Sequence, residues 1–288
     1  MIPAQLKDEA LLRDIESAQK DASRLHLWWL GQSGFLLAFG DHRLLLDPYL
    51  SDSLTAKYAA TDKPHVRLSE RVLSPERLTK IDAVTSTHNH TDHLDPETLL
   101  PLLRTNPDMK LVIPESNREF VCSKLGTPAS WPNGLNAGGQ VEIGPFNIHA
   151  IPAAHEELTL DFLGQHHFLG YVIQCDGWTL YHSGDTIRYA QMEQWLDPWD
   201  IDVALLPING RLPERRVSGN LWGREAAQLG WDIGAGLTVP CHFDMFEFNT
   251  VSPDDFTREC AALNCAHKVL KHGERLSLNP QKGSCTGE

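Results

Sequence analysis

The 288-residue sequence lacks the features that mark secreted, membrane-spanning and disulfide-stabilised proteins. Its six cysteines form no Cys-x-x-Cys pair and no small disulfide scaffold, so we expect free thiols in a reducing compartment. No apolar run reaches the length of a membrane-spanning helix. The N-terminus carries Lys7, Asp8, Glu9 and Arg13 where a secretory signal would have an apolar core. We therefore expect a cytoplasmic protein that binds no membrane.

Positive charge is also scarce. The sequence has 25 Lys and Arg against 38 Asp and Glu, a formal net charge of −13. This charge repels phosphodiester backbones and no basic stripe offsets it, so we expect no nucleic-acid partner. The sequence also lacks the Gly-x-Ser-x-Gly nucleophile motif of serine hydrolases. No linker rich in Gly, Ser and Pro divides the chain, which predicts a single domain over residues 1–288.

The apolar patterns that are present predict an α/β protein. Residues 1–24 contain an amphipathic N-terminal helix, predicted over 4–20, and three apolar strands follow it up to residue 46. Helical and strand patterns then alternate, and the second half of the chain repeats the arrangement of the first. Residues 50–73 have no clear period, which favours a rim of the active site. Residues 279–288 are polar, and we expect them to fray.

The most informative stretch is residues 88–93, which read His-Asn-His-Thr-Asp-His. A predicted strand leads into it, and in extended backbone His88 and His90 project to the same side. Asp92 and His93 follow one turn later, where they can face a second ion. A histidine-rich surface loop is the alternative, but four potential ligands within six positions favour a metal site.

Three further candidate ligands, His155, Asp185 and His242, each stand just after a predicted strand. Taken singly, each has an ordinary structural explanation, such as a hydrogen-bonded histidine at a sheet edge or an aspartate in a turn. Their common position favours a shared site, because sheet enzymes gather functional groups at strand ends. Asp47 also closes a predicted strand, where it either caps a turn or orients a ligand histidine.

Together these residues resemble the metal-binding elements of the metallo-β-lactamase superfamily, in order and across nearly the whole chain. The resemblance implies a four-layer αββα sandwich of two similar halves, with the site along one edge of the two sheets. It implies two metal ions with a shared aspartate, and it matches Asp47 to the early aspartate of the family. The implied ligands are His88, His90 and His155 for one ion, Asp92, His93 and His242 for the other, and Asp185 as the bridge.

A narrower resemblance is to the L-ascorbate-6-phosphate lactonase branch, whose members are cytoplasmic metal-dependent hydrolases. It rests on Trp-Leu-Gly-Gln-Ser-Gly-Phe at 29–35, Tyr-His-Ser-Gly-Asp at 181–185 and Pro-Cys-His-Phe-Asp at 240–244. Many relatives have His where this chain has Gln32, and the loop after the strand at 203–206 differs from that of the lactonase. Histidine and carboxylate ligands without cysteine suit both Zn²⁺ and Mn²⁺. The resemblance to the lactonase favours Mn²⁺.

The expected activity follows from this ligand set. Two divalent ions can lower the pKa of a shared water from ~15.7 towards neutrality and polarise a carbonyl or phosphoryl oxygen. We expect a lactonase or ester-type hydrolase of a small polar metabolite that can carry a phosphate, with Asp92 and Asp185 as catalytic carboxylates. The residues do not choose a general acid among Asp92, Asp185 and His182. A phosphodiesterase of nucleic acid or phospholipid and a non-catalytic metal-binding protein are the alternatives, and a homo-oligomer is left open.

Substrate contacts are predicted in the loop that follows the strand at 203–206. It carries Arg211, Arg215 and Arg216 in an otherwise acidic chain. Guanidinium groups bind phosphate and carboxylate through paired hydrogen bonds, and Arg211 lies closest to the strand end, so we predict it as the anion anchor. The alternative is that these arginines pair with surface acids. Gln32 and Asn209 are the other predicted substrate-binding residues.

Overall fold

A computed structural model describes residues 1–217 and 219–279, with the Arg215 side chain outside the description. Within those ranges it contains seven α-helices and thirteen strands. The helices are α1 (Asp8–Ala18), α2 (Ser53–Tyr58), α3 (Pro96–Thr105), α4 (Arg118–Leu125), α5 (Met192–Leu196), α6 (Gly223–Asp232) and α7 (Asp254–Leu263). The strands are β1 (Leu25–Gly31), β2 (Gly34–Phe39), β3 (His42–Leu46), β4 (Ala83–Thr85), β5 (Lys110–Pro114), β6 (Asn133–Leu135), β7 (Gln140–Ile143), β8 (Phe146–Pro152), β9 (Leu169–Cys175), β10 (Trp178–His182), β11 (Val203–Pro207), β12 (Leu237–Cys241) and β13 (Arg275–Leu278).

The strands form two mixed sheets. The first has the order β13-β1-β2-β3-β4-β5-β6 and the second the order β12-β11-β10-β9-β8-β7. Each sheet has an antiparallel part made of hairpins and a parallel part, β3 to β6 in the first and β10 to β12 in the second. The two halves of the chain are therefore similar, as predicted. The exception is β13, which crosses back from the end of the chain to pair with β1.

Alternate residues of β1 show how the layers pack. Trp28 and Leu30 lie in a cluster with buried residues of α1, α3 and α4. Leu27 and Trp29 point the other way and lie in a second cluster with strands of the second sheet and with helices α5, α6 and α7. This two-residue period places helices outside and a shared apolar core between the sheets. The predicted αββα sandwich is confirmed.

Three local predictions differ from the structure. The N-terminal helix is shorter than predicted and begins at Asp8. Residues 50–73 are not wholly irregular, since they contain α2. Strand β6 was not predicted, because its three residues are too few to show a period.

Of the predicted frayed tail, only Asn279 lies within the described residues. No helix in the described part of the chain is long and apolar enough to cross a membrane.

The sheets bring the predicted ligands to one edge. Strands β3 and β4 are parallel, and so are β10, β11 and β12. Strand β8 runs antiparallel to β9, which runs antiparallel to β10, so β8 and β10 end at the same side. The carboxyl ends of such strands are where open α/β sheets place their functional loops. The residues that follow these ends are Asp47 after β3, the 88–93 motif after β4, His155 after β8, Asp185 after β10 and His242 after β12.

Candidate metal centre

The 88–93 motif forms a tight turn between β4 and α3. The backbone N–H groups of His93 and Leu94 both donate to the carbonyl oxygen of His90, at 3.0 and 2.8 Å. Residues 87–90 before it are bends, so the expected extended backbone is wrong. His88 and His90 converge nonetheless, with a ring-centroid distance of 4.6 Å. Asp95 fixes the exit of the turn by capping α3, as its side chain accepts a hydrogen bond from the backbone N–H of Glu97.

One ligand group consists of His88, His90 and His155, whose ligand atoms all lie within 4.8 Å of one another. The Nδ1 atom of His155 lies 2.7 Å from the carbonyl oxygen of Gly219, which leaves Nε2 to face the group. The Nε2 atom of His88 is buried and has no hydrogen-bond partner among the described residues. A metal ion is a natural partner for such a nitrogen, because a buried polar atom without one is costly.

A second ligand group consists of Asp92, His93 and His242. The Oδ2 atom of Asp92 lies 3.4 Å from Nε2 of His242 and 3.7 Å from Nε2 of His93. Behind this group, Nδ1 of His93 donates to Oδ2 of Asp47 at 2.5 Å, and the backbone N–H of Thr87 donates to the other oxygen of Asp47. Asp47 thereby fixes the tautomer and orientation of the His93 ring, which is one of the two roles considered for it.

Asp185 lies between the two groups. Its Oδ1 is 3.3 Å from Nε2 of His93, and its Oδ2 is 3.2 Å from Nε2 of His242 and 3.6 Å from Nε2 of His155. The loop that carries it packs directly on Thr87, since a Cβ added at Gly184 would lie 2.6 Å from the Cβ of Thr87. Only glycine fits at that position. One carboxylate therefore reaches members of both groups, as a bridging ligand must.

The electrostatics of the cluster suit a divalent cation. Burial lowers the pKa of His88, His90 and His155, so these rings are neutral near pH 7 and keep a lone pair for a metal. Burial alone would raise the pKa of Asp92 and Asp185 and lower that of His93 and His242. Ion pairing among these four groups instead holds both carboxyl pKa values well below their usual range and raises the pKa of both imidazoles, so without a metal His93 and His242 carry protons that a bound cation would displace. Imidazoles with ionised carboxylates are the ligand set of borderline divalent metals, so the residues fit such ions.

The cluster forms the floor of a cavity of about 660 Å³. Five of the seven predicted ligands line the cavity, while His88 and His93 lie behind them. Aromatic rings, amides and cations form the walls and the mouth. These lining residues include the aromatic Tyr58, His65, Phe120, Phe246 and Phe248, the amides Asn89, Asn209, Asn220 and Asn249, and the cations Lys57, Lys63, Lys124 and Arg216.

Of the three predicted substrate-binding residues, only Asn209 lines this cavity, where its Nδ2 donates to Oδ1 of Asn249 at 2.9 Å. Arg211 lies outside the lining, because its guanidinium donates to both carboxylate oxygens of Glu225, at 2.6 and 2.8 Å. Arg211 therefore pairs with an acid, which was the alternative to its role as the anion anchor. Gln32 is fully buried and contacts the ligand cluster instead of the open cavity.

The predicted rim at residues 50–73 does line the cavity, through Lys57, Tyr58, Lys63 and His65, and so does Arg216 of the predicted substrate loop. Sequence reasoning missed Asn220, Lys124 and the aromatic residues outside that rim, because none of them lies in a recognisable motif. It also kept His182 as a candidate acid. His182 is fully buried, its Nε2 lies 3.1 Å from the carbonyl oxygen of Ser33, and it is not among the described residues that line the cavity. Asp92 and Asp185 are the remaining candidates, and both line it.

Comparisons with known proteins agree with this geometry. A family model described as a β-lactamase superfamily domain matches residues 42–243. A UPF0173 metal-dependent hydrolase of Methanoregula boonei is 30% identical over 262 residues, which cover 90% of this chain and all of the relative. A second UPF0173 metal-dependent hydrolase, from Methanoculleus marisnigri, is 28% identical and covers 90% of this chain and 99% of its own.

Solved structures extend the comparison to the fold. An isothiocyanate hydrolase from Delia radicum gut bacteria superposes with a TM-score of 0.69 at 17% identity, covering 88% of this chain and 99% of that one. At this identity the likeness shows the fold alone. The family match, the relatives and the His/Asp cluster lead to one conclusion: the chain belongs to the metallo-β-lactamase superfamily and is one of its metal-dependent hydrolases.

Proposed function

We propose that the chain is a dinuclear metal hydrolase of small anionic esters or lactones. The observation that carries the proposal is the position of Asp185, whose two oxygens reach ligand atoms of both groups at the floor of the cavity. Asp185 and Asp92 would hold the ions together with the five histidines. When bound, such ions lower the pKa of water and polarise a carbonyl or phosphoryl oxygen. Mn²⁺ is our preferred metal, on the resemblance to the lactonase branch, and Zn²⁺ is the alternative.

The charge of the cavity mouth supports an anionic substrate. Four cations line the cavity of a protein whose formal net charge is −13. The lining also holds Asp95 and Glu97 besides the metal-ligand candidates Asp92 and Asp185, and Arg216 pairs with Asp62, so the three lysines are the cations that a substrate can meet. The Lys63 ammonium lies 5.2 Å from the centroid of the Phe248 ring, and the Lys57 ammonium lies 5.0 Å from that of Tyr58. Cation–π contacts of this length keep the ammonium groups over the rings at the wall. A phosphate or carboxylate on the substrate would meet them there.

The amide of Asn220 supports a polar contact next to the metals. Asn220 is fully buried and lines the cavity, and neither its Oδ1 nor its Nδ2 has a hydrogen-bond partner among the described residues. Its two neighbours in sequence contact the ligand region. The carbonyl oxygen of Gly219 lies 2.7 Å from Nδ1 of the ligand candidate His155, and the backbone N–H of Leu221 donates to the carbonyl oxygen of Thr186, the residue after Asp185. We assign Asn220 to binding a polar group of the substrate beside the scissile bond.

The size of the cavity supports a metabolite over a polymer. At about 660 Å³ it falls within the range of small-molecule sites. The acidic charge of the chain disfavours nucleic acid, as the sequence already indicated. A small-molecule substrate without a nucleic-acid or membrane partner is therefore part of the proposal. The cytoplasmic location and a homo-oligomer stay predictions.

The test is a turnover assay in which metal-stripped protein is reconstituted with Mn²⁺ or Zn²⁺. The panel holds lactones and carboxylic esters, each with and without an anionic substituent, together with phosphodiesters, which are themselves anionic, and β-lactams. We expect metal-dependent turnover of anionic lactones or esters, and none by Asp185→Ala under the same conditions. Turnover confined to phosphodiesters would favour the alternative function, and two bound ions without any turnover would favour a non-catalytic metal-binding protein.

A further inference from the structure

A buried carboxylate joins the metal-binding turn to the wall of the cavity. Asp95 comes two residues after the 88–93 motif, and its side chain is fully buried. Its Oδ2 accepts a hydrogen bond from the Thr98 hydroxyl at 2.6 Å, and its Oδ1 accepts one from the Ser53 hydroxyl at 2.9 Å. Thr98 belongs to α3, which Asp95 caps, whereas Ser53 is the first residue of α2. One carboxylate therefore contacts both helices.

Within the described residues, α2 makes no other hydrogen bond to the segment between β4 and α3. The backbone N–H of Leu54 donates to the Tyr49 hydroxyl at 3.0 Å, and the Thr55 hydroxyl donates to the carbonyl oxygen of His65 at 2.7 Å. Both acceptors lie in the stretch of chain that surrounds α2 itself. Besides the apolar packing of Leu54, the Ser53–Asp95 bond is thus what fixes α2 relative to the metal-binding turn.

The far end of α2 belongs to the wall that carries cations. The Tyr58 ring stacks on the His65 ring at a centroid distance of 4.2 Å, and His65 meets the Phe248 ring edge-on at 4.3 Å. The ammonium group of Lys57 lies over Tyr58, and that of Lys63 lies over Phe248. A displacement of α2 would therefore move the ammonium groups of this wall relative to the metal ligands.

We infer that Asp95 and Ser53 are positioning residues, which set the distance between the cationic wall and the metal centre and so align an anionic substrate with the metals. The inference rests on the proposed function and adds to it a requirement for a fixed spacing between the anionic group and the scissile bond. Reaction rates are sensitive to such spacing, because a misplacement of ~1 Å can cost ~10²-fold. Neither side chain is itself a candidate metal ligand.

Positioning and binding have different kinetic signatures. Ser53→Ala deletes the bond to Asp95 but leaves Lys57 and Lys63 on the wall, so an anionic substrate should still bind, in a poorer alignment. We expect its kcat to fall by about tenfold while its KM changes little. Lys63→Ala removes a contact with the anion itself and should instead raise KM. A neutral analogue is not aligned by the wall, so Ser53→Ala should hydrolyse it like wild type.

The experiment measures kcat and KM of the full-length, metal-loaded proteins with an anionic ester or lactone and with its neutral analogue. Ser53→Thr keeps a hydroxyl that can donate to Asp95, so it should restore the wild-type kcat. Ser23→Ala is the matched control, because the exposed Ser23 hydroxyl donates to Asp21 in a comparable bond of 2.6 Å. Elemental analysis should find the wild-type metal content in every variant, which separates misalignment from loss of metal.

Several results would overturn the inference. They are a wild-type kcat of Ser53→Ala with the anionic substrate, an equal loss with both substrates, a rise in KM alone, and a loss of bound metal. The first of these, with normal turnover by wild type, would leave the proposed function intact and remove only the positioning role. If wild type itself hydrolyses no anionic ester or lactone, the proposed function fails and the inference fails with it.

Discussion

Asp47 accepts a hydrogen bond of 2.5 Å from Nδ1 of His93, and both side chains are fully buried. The contact leaves Nε2 of His93 as the nitrogen that faces Asp92 and Asp185. Carboxylates behind ligand histidines typically contribute 10- to 100-fold to metal affinity. We expect Asp47→Ala to weaken the ion of the Asp92, His93 and His242 group by roughly that factor, measured by chelator competition.

Asp47→Asn is the matched variant for this prediction. Its side-chain oxygen can still accept from His93 while the negative charge is lost, so its affinity should fall between those of wild type and Asp47→Ala. Equal affinity in all three proteins would mean that Asp47 serves only the Thr87 turn. Circular dichroism on each protein excludes a general loss of folding.

Asp185 should affect both ions, since its oxygens face His93 and His242 on one side and His155 on the other. Elemental analysis of Asp185→Ala should find both metal equivalents depleted. His90→Ala, which alters only the first group, should deplete mainly one. Loss of a single equivalent in Asp185→Ala would argue against a bridging carboxylate.

The part of the site that could be predicted is the part built from strand ends. His155, Asp185 and His242 follow strands whose apolar runs are visible in the sequence, and their strand-end positions correctly indicated one shared edge. The 88–93 motif was found by its density of ligands, although its backbone was wrongly expected to be extended. Residue type and strand order thus carry enough information to locate a cluster of candidate metal ligands.

Loop residues could not be placed in the same way. Arg211 and Asn220 lie in one loop, and the sequence favoured the arginine because charge is a visible signal. The structure instead pairs Arg211 with Glu225 of α6, a contact that depends on how the loop folds back over the helix. Asn220 carries no charge and no motif, so its position beside the candidate metal ligands could be recognised only from three-dimensional contacts.

Asn220 should contribute to substrate binding without contributing to metal binding. Its unpartnered amide can supply one neutral hydrogen bond to the substrate, so Asn220→Ala should lower kcat/KM by roughly tenfold or less. The metal content should stay that of wild type. Asn220→Asp retains an acceptor but removes the donor, and so shows which of the two the substrate uses. Unchanged kcat/KM in both variants would remove Asn220 from the site.

Replacing Lys63 and replacing Arg211 should have different effects on the turnover of anionic and neutral substrates. Lys63 lines the cavity, so Lys63→Ala should slow an anionic substrate by about tenfold and spare its neutral analogue. Arg211 donates to Glu225 and to the carbonyl oxygen of Asn220, so Arg211→Ala should slow both substrates by the same factor through Asn220. Selective loss with the anionic substrate in Arg211→Ala would restore Arg211 as the anion anchor. The exposed Arg258, on α7, provides the control substitution.

The last prediction concerns acid stability and His272, which is not one of the candidate metal ligands. Its ring stacks on Trp29 at a centroid distance of 4.3 Å and is almost fully buried. Burial lowers the pKa of His272 to about 4, whereas an unfolded histidine titrates near ~6.5. Between these two values the unfolded chain binds a proton that the folded protein does not. Folding stability is therefore lost as the pH falls through this window, and above it His272 has no such effect.

His272→Phe keeps a ring against Trp29 but cannot be protonated. Between pH 7 and pH 4.5, the free energy of unfolding of wild type should fall by roughly 2–3 kcal/mol more than that of His272→Phe. Urea titrations of both proteins in chelator would measure it, since metal loss then affects neither protein. His42→Gln, at an exposed histidine, should follow wild type. If wild type and His272→Phe lose equal stability between the two pH values, the buried His272 ring does not limit acid stability.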